Sequence, residues 1–157
     1  RIIAISKELG NMRINIHTDQ TIQETEVNIN CNQLTPDIER MISLLRVMDK
    51  KLTGVKNGQM YFLDSNQILY IETVDKKTFF YTSKDVYETS LKLFELEDEL
   101  DGTDFFRSGK SSIIHLGHIK SLKADLDGRI MVTMDNNEKL IVSRQYAQEF
   151  KRKLGVK

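Results

Sequence analysis

The chain has one cysteine, one proline, no net charge and no long apolar run, and each shortage closes off a class of protein. A lone cysteine, Cys31, excludes an internal disulfide and suits a reducing cytosol. It sits in an alternating stretch without a basic neighbour, so it reads as a small buried hydrophobe in a strand rather than a nucleophile. Apolar runs of only a few residues leave no transmembrane span. The opening Arg1-Ile2-Ile3-Ala4-Ile5 is too short for a signal peptide. Charge is balanced, 23 basic against 23 acidic residues, which argues against a protein that coats nucleic acid without regard to sequence. A metal-ligand cluster, a glycine-rich phosphate loop and a nucleophile–base signature are all missing, so the chain reads as no enzyme, with no cofactor and no small-molecule substrate. Glu95, Glu97, Asp98, Glu99 and Asp101 scatter around a helix and read as its solvated face rather than a calcium site.

What is present fits one domain with a small appendage: 157 residues, 39% of them hydrophobic. Met12 reads as a native start, with residues 1–11 as tag or upstream sequence. Residues 13–18 and 26–31 alternate apolar and polar, the period of half-buried strands. Thr35-Pro36-Asp37 marks a helix start, with Thr35 as N-cap and the sole proline at the first helical position. Ile38, Met41, Ile42, Leu45, Met48 and Leu52 give that helix one apolar face to about residue 52, and Arg46, Lys50 and Lys51 complement its dipole. Residues 12–52 thus read as a ββα appendage, too small to bury much alone.

Residues 53–157 read as the main domain. Asn57-Gly58 is the strongest hairpin signal in the chain. Strands follow at 67–73, 79–82 and 86–89, with a polar turn at Asp75-Lys76-Lys77-Thr78. Ser90 reads as the cap of a helix that turns Leu91, Phe94, Leu96 and Leu100 inward and stops at Gly102. Beyond residue 119, alternation at Leu122/Ala124/Leu126, Ile130/Val132/Met134 and Leu140/Val142 is broken by turns at Asp127-Gly128 and Asn136-Asn137. This is a meander, and the main domain is accordingly mainly β. Ser143 reads as the N-cap of a last helix anchored by Tyr146, Phe150 and Leu154.

Charge is distributed unevenly. Residues 91–101 are strongly acidic, whereas 107–123 carry Arg107, Lys110, Lys120 and Lys123 with no acid among them. Between Phe105-Phe106 and the apolar run at Ile113 lies Arg107-Ser108-Gly109-Lys110-Ser111-Ser112. Its cations and hydroxyls suit phosphate, although loops also favour Ser and Gly for backbone reasons. Arg144 and Gln145 open the last helix. A cation there opposes the helix dipole, while the free N–H groups of that turn favour an anion. His17, His115 and His118 show no metal or catalytic spacing, and His115, in an apolar run, reads as structural.

The ordered set Ile71-Glu72, Phe105-Phe106-Arg107, Ile113-Ile114-His115-Leu116, His118-Ile119, Asp127-Gly128 and Val142-Ser143-Arg144-Gln145-Tyr146 resembles the LytTR DNA-binding domain of bacterial transcription regulators. The resemblance covers about residues 53–154. It implies an elongated, mostly antiparallel β fold with short helices that binds double-stranded DNA through loops rather than a recognition helix. Carried over by position, it implies DNA contacts at Lys76, Lys77 and Thr78, at Arg107, Ser108, Lys110 and Ser111, and at Arg144 and Gln145. Arg144 suits bidentate readout of guanine, and the lysines suit phosphate. Two positions depart from the family: Gly109 where a His is frequent, and His115 where an Asn is frequent. The resemblance further implies a cytoplasmic regulator, a homodimer on two half-sites and, because no phosphorylatable receiver fits in the roughly forty leading residues, control by a membrane-protein partner. Leu44 and Val47 of the first helix, off its main stripe, are the candidate dimer residues. The alternative is a protein-interaction module on the same fold that has no DNA binding.

Overall fold

The computed structural model describes residues 2–6, 12–48 and 51–156. They form two compact units, residues 1–33 and 34–157. Residues 1 and 7–11, part of the stretch read as tag or upstream, and Lys50, read as part of a basic helix end, lie outside the described residues.

In the first unit, β1 (Ile2–Ser6) pairs antiparallel with β2 (Arg13–His17), Ile3 opposite Ile16 and Ile5 opposite Ile14. The expected strand at 26–31 is absent. Alternation there has no partner strand to satisfy its backbone groups, and residues 26–31 are exposed throughout. Cys31 is therefore exposed rather than buried.

The second unit opens with α1 (Pro36–Met48), started by Thr35, whose Oγ1 accepts from Ile38 N at 3.4 Å. The helix does not reach residue 52. Lys51 already belongs to β3 (Lys51–Lys56), which turns at Asn57-Gly58 into β4 (Gln59–Asp64). Leu52 is a core residue of that strand, 1% exposed. Next come β5 (Tyr70–Val74), β6 (Lys77–Tyr81), β7 (Val86–Thr89), α2 (Leu93–Glu99), β8 (Phe105–Gly109) and β9 (Ser112–His115). The strands join one antiparallel sheet in the order β4-β3-β7-β6-β5-β9-β8. A separate meander of β10 (Ile119–Ala124), β11 (Ile130–Met134) and β12 (Lys139–Val142) leads into α3 (Arg144–Leu154).

Apolar doublets explain how the sheet holds two cores. Successive strand residues point to opposite faces, so a doublet supplies one side chain to each. Ile71, Phe105 and Ile113 join Phe80, Leu52 and Leu96 in a core under α2. Their neighbours Tyr70, Phe106 and Ile114 join Val132, Met134, Val142 and Phe150 in a second core under the meander and α3. Phe150 is fully buried, and cutting it to alanine costs about 3–5 kcal/mol. Gly54 sits where a side chain would meet Tyr87 Cβ at 2.5 Å, so β3 can cross Tyr87 only with glycine there.

Two readings around α2 are corrected. Its cap is Lys92, not Ser90, with Glu95 Oε1 accepting from Lys92 N at 3.0 Å. With the helix starting at Leu93, the inward positions are Leu93, Leu96 and Leu100, and Phe94 turns out, 63% exposed. Leu126, expected to continue β10, is likewise fully exposed beyond the end of that strand.

Candidate nucleic-acid interface

The sheet register brings three chain-distant segments to one end of the unit. β5 descends to a two-residue turn, Asp75-Lys76, and β6 ascends from it. β9 pairs with β5, Glu72 opposite Ser112, so the Lys110-Ser111 turn between β8 and β9 lies beside the first turn. Thr73 N donates to Ser111 O at 2.9 Å and ties the two together. The start of α3 is tied to the same place: Ser143 N donates to Ser108 O at 2.9 Å. The Asn57-Gly58 turn lies at the opposite end, near Asp85, which Lys56 contacts.

Lys76, Lys110, Ser111, Arg144 and Gln145 are all exposed. Among the described residues, no side chain of these five makes a hydrogen bond or ion pair. Lys76 stands at φ +67 and Asp75 at φ +50, as a type I′ turn requires. A β-carbon makes that conformation cost about 1–2 kcal/mol per residue, which Asp tolerates better than Lys. Lys77 is not in the turn but first in β6, its Nζ 3.8 Å from Glu88. Thr78 is the second residue of that strand, buried at 5% exposure, with its Oγ1 3.3 Å from Thr73 Oγ1.

The Arg107–Ser112 segment is not an open loop but a tight hairpin with a register shift between Arg107 and Gly109. Ser108 is wholly buried, its Oγ 2.7 Å from Ser112 Oγ. Arg107 is spent on the hairpin and on α2. Its Nε donates to Gly109 O at 2.7 Å, Nη2 to Lys110 O at 2.8 Å, and Nη1 to Glu97 Oε2 at 3.2 Å. It shapes the turn that lifts Lys110 and Ser111 into solvent.

Arg144 lies across Gly128, where a side-chain carbon would come within 3.2 Å of Arg144 Cγ. The β10–β11 turn thus forms a fourth wall, which sequence reasoning missed: Asp127-Gly128 signals a turn but not its neighbour. In it, Arg129 donates to Asp127 through its backbone N and its Nε. These bonds lower the Asp127 pKa, and the charge of Arg144 adds to the effect. Ser143 sits at the N-cap position but does not cap, since its Oγ is buried without a hydrogen-bond partner.

His115 and His118 lie elsewhere in this unit. His115 is buried against Phe105, ring centroids 4.6 Å apart, and its Nδ1 accepts from Gly117 N. Burial, then the nearby His118, lowers its pKa. His118 Nδ1 lies 3.1 Å from Asp135 Oδ2 and its Nε2 2.5 Å from Asn66 O. Among the described residues, no group of three or more His, Cys, Asp or Glu is placed to hold a metal, and no helix is long and apolar enough to cross a membrane. Each helix is separated from the next by strands, so no helix-turn-helix is formed among them.

Residues 58–155 match the family model of the LytTr DNA-binding domain. The chain belongs to the LytTR family. It is 22% identical over 147 residues, 92% of this chain and 99% of the relative, to an uncharacterized HTH-type transcriptional regulator of Staphylococcus aureus strain NCTC 8325. It is 28% identical over 141 residues to the sensory transduction protein LytT of Bacillus cereus, matching 90% of this chain and 50% of that one. Among solved structures, it is similar to the LytTr DNA-binding domain of a putative methyl-accepting/DNA response regulator from Bacillus cereus. There the TM-score is 0.64 at 28% identity, over 68% of this chain and 97% of the other. The mainly β, antiparallel fold with short helices is that of the family.

Proposed function

We propose that this LytTR protein is a cytoplasmic, sequence-specific transcription regulator that grips DNA with the turns at one end of its sheet. The observation that carries the reading is the convergence of Lys76, Lys110 and Arg144, three cations from distant parts of the chain, with no hydrogen bond or ion pair on their side chains among the described residues. Unpaired cations on rigid turns suit an anionic polymer, and the zero net charge of the whole chain keeps the attraction local. Arg144, steadied over Gly128, reads guanine through its two-pronged guanidinium, and Gln145 beside it offers an amide to an adjacent base. Lys76, Lys77 and Lys110 hold phosphate, Ser111 adds a hydroxyl, and Arg107 supports Lys110 from behind. Thr78 and Ser108, buried, serve the turns rather than DNA. One such end offers few base contacts, so two copies on two half-sites supply the specificity. Control by a membrane-protein partner remains part of the proposal, tested by capture from native membranes with the intact protein.

The experiment is selection of bound sequences from a randomised duplex library, followed by a salt series on the enriched site. The reading expects a recurrent motif and a linear fall of log affinity with log salt, about 0.9 per phosphate neutralised. No enrichment, with binding flat in salt, overturns it.

A further inference from the structure

A cavity of about 430 Å³ opens in the second unit, within the size range of sites for small organic molecules. Three segments wall it: the sheet face at Tyr70, Glu72 and Tyr81, the β6–β7 loop at residues 82–85, and the β11–β12 turn at Asn136 and Glu138. It lies away from the cationic turns. β6 ascends from the Asp75-Lys76 turn to Tyr81, so the loop beyond it is at the far end of the sheet. The β11–β12 turn is likewise at the other end of the meander from Gly128, against which Arg144 lies.

The floor is aromatic and the walls are acidic. The Tyr70 and Tyr81 rings stack with centroids 4.4 Å apart. Tyr70 is 5% exposed and hydrogen-bonded to Asn136, and burial pushes its pKa up to about 12, so it stays an uncharged phenol. The Tyr81 hydroxyl bonds to Glu72. Glu72 is half-buried and Glu138 exposed, and both line the same space. Burial raises the Glu72 pKa, the Tyr81 bond opposes this, and the Glu138 charge adds to the rise, so the two carboxylates feel one another. Among the described residues, neither makes an ion pair. Two like charges facing one cavity without a cation repel, and the half-buried one is desolvated at a cost.

We propose that this cavity binds a small organic amine, its ammonium held between Glu72 and Glu138 and its carbon chain laid against the Tyr70–Tyr81 pair. The carboxylates accept from the N–H donors, and the rings both attract a cation and cover an apolar stem. A bare metal ion suits the space less. Two carboxylates leave most of its oxygen shell unfilled, and among the described residues no third acid or histidine is placed to complete a metal site. An anion meets the same two charges and is repelled. No sequence spacing signals the site, because its walls come from distant parts of the chain. Facing away from Lys76, Lys110 and Arg144, it is open to an amine whether or not those turns hold DNA, and it does not rest on the DNA reading.

The test is NMR of the full chain with isotope-labelled tyrosine rings, titrated with putrescine, a short diamine, in the absence of DNA. Saturable shifts are expected at Tyr70 and Tyr81, with Tyr61 and Tyr146 unmoved. Butanediol, of the same length but uncharged, and magnesium chloride at matched ionic strength are expected to move none of them. Glu138→Gln, at an exposed turn position, is expected to weaken putrescine about tenfold, the worth of one charge-assisted hydrogen bond, with an unchanged melting curve. Ser83→Trp, at the exposed rim, fills the mouth and is expected to block binding; it decides the matter if Glu138→Gln melts differently. Shifts that do not saturate and spread over all five tyrosines overturn the proposal. So does an equal response to butanediol or magnesium, or an affinity indifferent to both variants.

Discussion

The chain makes the same two-residue turn at opposite ends of one sheet, with different residues. Asn57-Gly58 stands at φ +51 and +76, Asp75-Lys76 at φ +50 and +67. The first uses the pair this geometry favours. The second places a lysine where glycine is easier, beside Lys110 and Arg144. Backbone strain retained where an easier residue exists points to function. The comparison teaches that one end of the sheet is built for folding and the other for charge.

The largest test of that division is Arg144→Ala. It is expected to weaken binding to the selected duplex roughly 5- to 150-fold, the worth of one bidentate base contact, with an unchanged melting curve; fluorescence anisotropy and calorimetry read the two. Exporting the strain comes next. Gly58→Lys puts a β-carbon in the left-handed region and is expected to cost about 1–2 kcal/mol of stability with DNA affinity intact. A fall in affinity equal to that of Arg144→Ala would break the contrast between the ends. Lys76→Gly is the converse and smaller change: it is expected to melt slightly above wild type while the salt slope of DNA binding drops by about 0.9. The smallest effect concerns Glu72, on β5 near the charged end. Burial raises its pKa, a hydrogen bond from Tyr81 opposes this, and Glu138 adds to the rise. A carboxyl raised in the folded state makes folding less favourable once it ionises. Glu72→Gln is therefore expected to melt higher than wild type at pH 8, with the gain shrinking as pH falls through the raised pKa toward the ordinary carboxylate range.

Local signals were legible in the sequence, and long-range ones were not. Asn57-Gly58, the meander turns and the Tyr146/Phe150 spacing each involve neighbours along the chain, and each formed as read. Sheet order depends on pairing between distant strands, so β5 between β6 and β9 could not be foreseen. The doublets Phe105-Phe106 and Ile113-Ile114 revealed apolar strands but not that each served two cores. Ser108 misled because serine and glycine mark both a loop and a tight hairpin, and only the register buries its hydroxyl. Arg107 and Arg144 both stood among the expected DNA contacts, with guanine readout given to Arg144 alone. Three carbonyl and carboxylate acceptors separate them: Arg107 is spent on its own turn and on Glu97 of α2, whereas the Arg144 side chain has no hydrogen bond or ion pair among the described residues. In α1 periodicity found the apolar face but not the face that docks, because Ser43 and Arg40 find partners across the unit in Ser90 and Glu95.

The most direct measurement is the affinity of wild type, Arg144→Ala and Lys76→Gly for every single-base variant of the selected duplex at one fixed salt. Arg144→Ala is predicted to lose discrimination at one or two adjacent base pairs and keep it elsewhere, and Lys76→Gly to weaken all duplexes evenly. If Arg144→Ala instead lowers affinity evenly and leaves every base preference in place, the turns at this end do not read sequence, and the account fails.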